Sequence, residues 1–175
     1  TLWIVVAVVI IAALLLFFFN KKCEQDQLNG ETTCYQNPIL RIQFDFSAGW
    51  KAKKSGLIQG YPTQYVGDDG FFVVNAIPKK GTLIDTVRTI IAEDPEFYGP
   101  KPLIEERIVN SRIGYFVYPD SQFVIGEQHP ACYVTELSNP TYYNGNTCSV
   151  LLIFSNKKEL SKIVKSLDSY YPSQQ

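Results

Sequence analysis

Residues 148–167 are CSVLLIFSNKKELSKIVKSL. The run 150–154 is continuously apolar and does not alternate, which is typical of a central strand buried on both faces. After it, apolar residues recur with helical spacing and form one stripe, at Leu160, Ile163, Val164 and Leu167. This stretch therefore predicts a buried strand followed by an amphipathic helix, over about residues 156–170, that packs against the sheet.

Upstream of this stretch, strand-like runs precede and follow one predicted helix. Thr82 and Asp85 match a capping box, so the helix begins there and ends near Asp94, before Pro95. Residues 95–102 and 138–147 are rich in turn residues and predict loops. Strands are predicted at 42–46, 57–66, 71–77, 103–109, 113–118, 132–137 and 148–154. The order strands, helix, strands, helix favours an α+β fold, with helices laid against a mainly antiparallel sheet.

The N-terminal segment 2–19 contains no polar side chain. As a helix its 18 residues would span roughly 27 Å, close to the hydrocarbon thickness of a bilayer. A cleaved signal peptide is the alternative, but the run ends in Phe-Phe-Phe-Asn-Lys-Lys without a small-x-small cleavage site. We therefore predict a transmembrane helix over residues 1–20 that contacts the lipid bilayer through 2–19, including Leu2, Trp3, Ile10, Leu15 and Phe19.

The four cysteines fall into two sequence-local pairs, Cys23 with Cys34 and Cys132 with Cys148. Three pairings are possible, and the local one needs only short loops. Zinc ligation would favour CxxC spacing or several histidines, and the only histidine is His129. Because disulfides are rare in reducing cytosol, two local disulfides predict a single-pass protein whose C-terminal part is extracytoplasmic, whether periplasmic, extracellular or lumenal.

These features divide the chain into three parts. The transmembrane helix is followed by a polar extracytoplasmic tether at 21–38 and one globular domain at 39–175. The chain carries 16 basic and 17 acidic side chains, for a net charge of −1, so nothing favours binding to nucleic acid.

Two short patterns resemble the PsbP/Mog1-like superfamily. The first is an aromatic-x-aromatic strand followed by Gly-Trp-Lys, here Phe44, Phe46, Gly49, Trp50 and Lys51; the second is the strand and helix of residues 150–167. The resemblance covers about residues 39–171. It implies an α/β/α sandwich with a central antiparallel sheet. It also implies a non-enzymatic accessory, assembly or binding protein, since members include extrinsic subunits of photosynthetic membrane complexes.

A second resemblance is to the type IV pilins, which also begin with an apolar helix and carry a C-terminal disulfide. The pilin helix has a glutamate near its mature start, where this chain has Val5, and continues as a long amphipathic spine. Here the apolar run meets Lys21 and Lys22 instead. A pilin-like filament subunit is therefore a minor alternative.

No residue pattern predicts catalysis. His129 is the sole imidazole, and no Gly-x-Ser-x-Gly element presents a serine. Acidic clusters at Glu93, Asp94 and Glu96 and at Glu105 and Glu106 are better explained as solvated groups than as a glycosidase pair. Asp68 and Asp69 could bind calcium, although Gly-Asp-Asp-Gly is also a common hairpin turn. We expect no enzymatic activity, no metal site and no cofactor.

Tyrosines are the best candidates for contact with a partner protein. Tyr142 and Tyr143 lie in the predicted loop, and Tyr170 and Tyr171 lie near the end of the chain. The lysines of the C-terminal helix are more simply a solvated face: Lys157, Lys158, Lys162 and Lys165. The sequence favours an accessory or assembly subunit of a larger membrane complex. The main alternative is a membrane-tethered module that binds a ligand or ion.

Overall fold

A computed structural model of the protein describes residues 32–53, 63–123 and 130–169. The predicted anchor at 2–19, together with Cys23, His129, Tyr170 and Tyr171, lies outside these residues. Within the described ranges, no helix has the length and apolar character needed to cross a membrane.

The described residues form ten strands and three α-helices. In chain order they are β1 Thr32–Asn37, β2 Ile42–Ser47, β3 Lys51–Lys53, β4 Gln64–Gly67, β5 Gly70–Ile77, α1 Leu83–Glu93, α2 Pro95–Tyr98, β6 Leu103–Val109, β7 Arg112–Tyr118, β8 Pro130–Tyr143, β9 Asn146–Asn156, α3 Lys157–Ser166 and β10 Asp168–Ser169.

Seven strands form an antiparallel sheet in the order β3-β4-β5-β9-β8-β7-β6, and three form a small sheet in the order β1-β2-β10. The centre of the large sheet is β9, which pairs with β5 on one side and with β8 on the other. The prediction of a mainly antiparallel sheet with helices against it is therefore confirmed.

Side chains of β9 alternate between two hydrophobic clusters, one on each face of the large sheet. Leu151 and Ile153 belong to the cluster that includes β2 and α3. Val150, Leu152 and Phe154 belong to the cluster that includes α1 and Tyr98 of α2. The continuous apolar run thus marks a strand covered on both faces, as predicted.

The predicted start of α1 is also confirmed. The Asp85 amide donates to Thr82 Oγ1 at 3.3 Å, and the Thr82 amide donates to Asp85 Oδ2 at 3.1 Å. This reciprocal pair of hydrogen bonds satisfies backbone donors that the first turn of a helix leaves free. Leu83 and Val87 are then buried against the sheet.

Several predicted boundaries differ from the structure. Residues 32–37, expected in the tether, form β1 and pair with β2. β8 continues to Tyr143 through the stretch expected as a loop, with an irregularity between Glu136 and Thr141. Four residues of the expected 95–102 loop form α2, which begins with a proline at its first position. α3 ends at Ser166 because the following residues, Asp168–Ser169, pair with β2.

A tight contact joins the β2–β3 corner to the β4–β5 hairpin. Trp50, buried at the corner, donates from Nε1 to Asp69 Oδ1 at 2.6 Å. Its indole ring lies against Gly67, where a Cβ would come within 2.0 Å of the ring. Ser47 Oγ donates to Asp69 Oδ2 at 3.3 Å. Gly67 is therefore required by the packing of Trp50.

We expect Gly67→Ala to lower the free energy of unfolding by about 1–3 kcal/mol, because the added methyl group must displace the indole. Chemical unfolding of the full chain measures this. In a Trp50→Leu background, the same substitution should cost much less. An equal cost in both backgrounds would show that the loss has another origin.

Candidate functional site

A cleft of about 300 Å³ lies between the β1–β2 turn and the β8–β9 hairpin. None of the residues that line it is charged. They are Tyr35, Gln36, Asn37, Pro38, Ile39, Thr63, Tyr65, Phe72, Val74 and Tyr143. We call this feature the tyrosine cleft.

Tyr35 of β1 is the central side chain of the cleft. Its ring stacks on Phe44 with centroids 4.8 Å apart. It meets Tyr65 edge-on at 5.6 Å and Phe72 edge-on at 5.4 Å. Tyr65 and Phe72 stack on each other at 4.6 Å. Because each ring is held by others from different strands, the wall of the cleft is preformed.

Asn37 fixes both the turn and the hydroxyl group of Tyr35. Its Oδ1 accepts hydrogen bonds from the amides of Ile39 at 3.1 Å and Leu40 at 3.0 Å. Its Nδ2 donates to Tyr35 Oη at 3.1 Å. Burial raises the pKa of Tyr35 to about 12, so the phenol stays neutral further into the alkaline range than an exposed tyrosine does. The cleft thus offers aromatic surface with a few uncharged hydrogen-bonding groups.

The β8–β9 hairpin forms the other side of the cleft. Thr141 Oγ1 donates to the Ile39 carbonyl at 3.1 Å, which ties the hairpin to the β1–β2 turn. Tyr143 lines the cleft, and burial raises its pKa. Ile39 lines the cleft and is 54% exposed, whereas Tyr142, the strand neighbour of Tyr143, is 72% exposed and does not line it. The cleft therefore has one apolar, exposed residue, Ile39, at its rim.

Of the four tyrosines proposed from the sequence, Tyr143 lines this cleft, and its exposed neighbour Tyr142 does not. They end a strand, just before a tight turn whose residues Asn144 and Gly145 have φ of 48° and 82°. Sequence reasoning missed Tyr35, Asn37 and Tyr65. The signal that could have found β1 is the β-favouring content of TTCYQN.

Five of the seven acidic residues considered as catalytic or calcium-binding groups have local partners. The hydrogen bond from Trp50 is the main reason that the pKa of Asp69 is lowered, so this carboxylate holds a hairpin turn. Glu93 pairs with Lys80 at 2.6 Å. Asp94 accepts a hydrogen bond from the Phe97 amide at the start of α2.

The remaining acidic pair and two of the α3 lysines are also engaged. Glu105 pairs with Arg107, and Glu106 accepts a hydrogen bond from the Tyr115 hydroxyl at 2.6 Å. Lys157 lies 4.8 Å above the Tyr118 ring. Lys162 contacts Glu159 Oε1 at 2.7 Å.

The predicted Cys132–Cys148 disulfide is wrong, because both cysteines are free and buried. Cys132 pairs in register with Phe154, six residues along β9 from Cys148, which corresponds to about 20 Å in a strand. The two thiols also belong to clusters on opposite faces of the sheet. A disulfide needs Cα atoms within about 7 Å. The pairing of Cys23 with Cys34 stays a prediction, since Cys23 lies outside the described residues.

The chain is similar to a solved structure, the solution structure of cyanobacterial PsbP (CyanoP) from Synechocystis sp. PCC 6803. The TM-score is 0.50 at 16% sequence identity, and the match covers 81% of this chain and 94% of that chain. The chain has a PsbP-like fold. No protein-family model matches the chain, and no curated protein matches it.

The raised pKa of Tyr35, about 12 in the folded protein, makes stability depend on pH in the alkaline range. A folded-state pKa above the unfolded value of about 10 gives a contribution to stability that is complete below that value and is lost as pH rises toward about 12. We expect the difference in unfolding free energy between about pH 9 and about pH 11 to be smaller in Tyr35→Phe than in the parent chain. Equal pH dependence in the two proteins would contradict a neutral, buried Tyr35.

Thiol labelling distinguishes the two cysteine pairs. Burial raises the pKa of both Cys132 and Cys148, so neither thiol should react in the native chain. Both should react in denaturant without reductant, whereas Cys23 and Cys34 should react only after reduction. If Cys132 and Cys148 also needed reductant, their description as free thiols would be contradicted. If all four reacted without it, the extracytoplasmic placement would be contradicted.

Proposed function

We propose that this chain is a non-catalytic accessory or assembly subunit of a larger membrane protein complex. In this proposal an N-terminal helix over residues 2–19 anchors it in the bilayer, and the globular part is extracytoplasmic. That the complex is a photosynthetic one is proposed from the family resemblance alone. The observation that carries the proposal is the tyrosine cleft with its exposed rim, on a PsbP-like fold.

The composition of the cleft suits contact with another protein. Tyrosine offers a large, rigid apolar ring with a polar end, and it is enriched at interfaces between proteins. Ile39 is large and exposed and lines the cleft, and Tyr142 is a second exposed residue, next to Tyr143 in the strand. The hydrogen bonds that Asn37 accepts fix the β1–β2 turn, and the one that Thr141 donates joins this turn to the β8–β9 hairpin, so little conformational entropy would be lost when a partner binds.

The position of the cleft relative to the proposed anchor also supports this role. β1 runs from Thr32, opposite Ser47, to Asn37 at the cleft, a distance of about 17 Å. If the tether enters β1 at Thr32, the cleft lies at the opposite end of the strand from the tether. The rim would then face an extramembrane part of a partner subunit and not the site of attachment.

The extracytoplasmic placement is proposed from the Cys23–Cys34 pair and from the lysines that end the apolar run. With Cys132 and Cys148 free, only one local pair is left to support it. Lys21 and Lys22 would lie at the level of the lipid headgroups on the outer side.

A second candidate function is the binding of a small uncharged ligand. At about 300 Å³ the cleft is at the lower end of the range typical of small-molecule sites, and Asn37 positions the Tyr35 hydroxyl within it. Such a ligand would raise the melting temperature of the purified chain, and Tyr35→Ala would abolish the shift. Contact with a protein partner instead depends mainly on the exposed residues Ile39 and Tyr142.

Site-specific photo-crosslinking in native membranes tests the proposed function. A photoreactive amino acid at Tyr142 in the full chain should form adducts with subunits of a membrane complex, identified by mass spectrometry. The same amino acid at Arg88, an exposed position on α1, should form far fewer adducts. Recovery of the Tyr142 variant only as a free, unmodified monomer would contradict the proposal.

A further inference from the structure

The strand β6 ends the large sheet in the described part of the chain. It pairs with β7 along its whole length, from Leu103 with Tyr118 to Val109 with Arg112, and no other described strand borders it. An edge strand of this length offers a row of backbone groups that another strand can bind.

The β6–β7 turn determines which backbone groups point outward. Asn110 and Ser111 form a two-residue turn with φ of 50° and 63°. In such a hairpin the flanking residues, here Val109 and Arg112, exchange both backbone hydrogen bonds, and this pattern repeats at every second residue. The groups that remain for another strand are the N–H and C=O of Ile104, Glu106 and Ile108.

Large apolar side chains are exposed along the same edge. Ile108 is 74% exposed and Ile113, its register partner on β7, is 53% exposed. Leu103, at the other end of β6, is 52% exposed. Exposed apolar side chains beside a free strand edge mark a surface suited to association.

We propose that β6 pairs with β6 of a second copy of this chain, antiparallel and about a two-fold axis at Glu106. The sequence of the strand is self-complementary in this arrangement. Leu103 lies opposite Val109, Ile104 opposite Ile108, and Glu105 opposite Arg107.

This register satisfies the backbone and the charges together. Every outward N–H and C=O of Ile104, Glu106 and Ile108 finds a partner, since each of these residues lies opposite another of them. Two contacts, each between Glu105 of one copy and Arg107 of the other, form on one face of the joined sheet. Arg107 already lies 4.9 Å from the Phe116 ring on that face, so its guanidinium is held close to the sheet surface.

A shift of the register by two residues still pairs the outward backbone groups with each other. It shortens the pairing, however, and separates Glu105 of one copy from Arg107 of the other. The one unfavourable contact in the proposed register is between the two copies of Glu106 on the axis. Each of these carboxylates accepts a hydrogen bond from its own Tyr115. One pair of seven-residue strands buries less area than a typical stable interface, so the dimer is reversible.

Cysteine crosslinking in the full chain tests this pairing directly. Residues opposite each other in a hydrogen-bonded antiparallel pair have Cα atoms about 5.5 Å apart, within reach of a disulfide. Glu106→Cys should therefore form a covalent dimer under mild oxidation. Arg88→Cys on α1 and the unsubstituted chain give the background. If the variant gave no more covalent dimer than these controls, the proposal would be overturned. The edge of β6 would then be left to a strand of another protein.

Charge reversal tests the register. Glu105→Arg alone, or Arg107→Glu alone, places like charges opposite each other twice per dimer and should weaken self-association about tenfold. The double variant Glu105→Arg/Arg107→Glu restores both contacts and should restore association, measured by analytical ultracentrifugation in detergent. Failure of the double variant to recover would overturn this register. Ile39→Ala, at the rim of the tyrosine cleft, should leave the dimer unchanged, which separates this surface from the cleft.

Discussion

The burial of β9 on both faces is the constraint on which the rest of the molecule depends. A strand whose side chains are apolar on both faces is stable in water only if each face of its sheet is covered. Here α1 and α2 cover one face, and α3 with β2 covers the other. The neighbours of β9 share this condition: Phe71 and Val73 of β5 join one cluster, whereas Phe72 and Val74 join the other.

The layer formed by α3 and β2 is attached to the sheet by polar contacts as well as by the core. Glu159, in the first turn of α3, is 1% exposed; Lys162 and Ser47 both contact its carboxylate. A helix N-terminus favours a negative charge, which reduces the cost of burying this group. Asn156 precedes the helix and donates from Nδ2 to the Asp69 carbonyl at 2.9 Å. These hydrogen bonds therefore connect α3, the β4–β5 hairpin and the β2–β3 corner and fix them relative to one another.

The elements that could be predicted from the sequence are those whose signal is local and strong. The capping box at Thr82 begins a helix through hydrogen bonds between neighbouring residues, and the apolar run of β9 favours burial by its composition alone. β8 was predicted too short because Ser138, Asn139 and Pro140 have turn composition. The chain accommodates them at an irregularity of the strand instead.

The tyrosine cleft and the cysteines show why a site is harder to predict than a strand. Proximity in sequence favoured a bond between Cys132 and Cys148, whereas the extended geometry of β8 and β9 carries the two thiols apart. The same long hairpin carries Tyr143 to β1, more than a hundred residues away in sequence. The sequence indicated that Tyr142 and Tyr143 could contact a partner, but not that Tyr35 and Asn37 complete the site.

The tyrosine cleft and the edge of β6, which no described strand borders, differ in physical character. This difference bears on how one small fold could hold two contacts. The cleft is made of side chains from several strands and can select a partner by shape and by its uncharged hydrogen-bonding groups. The edge of β6 offers mainly backbone, so selectivity there must come from the order of Glu105, Glu106 and Arg107. Four strand spacings, about 19 Å, separate β6 from β5 at the cleft. Occupation of one surface therefore leaves the other accessible, as an assembly subunit that joins a second copy of itself to a larger complex would require.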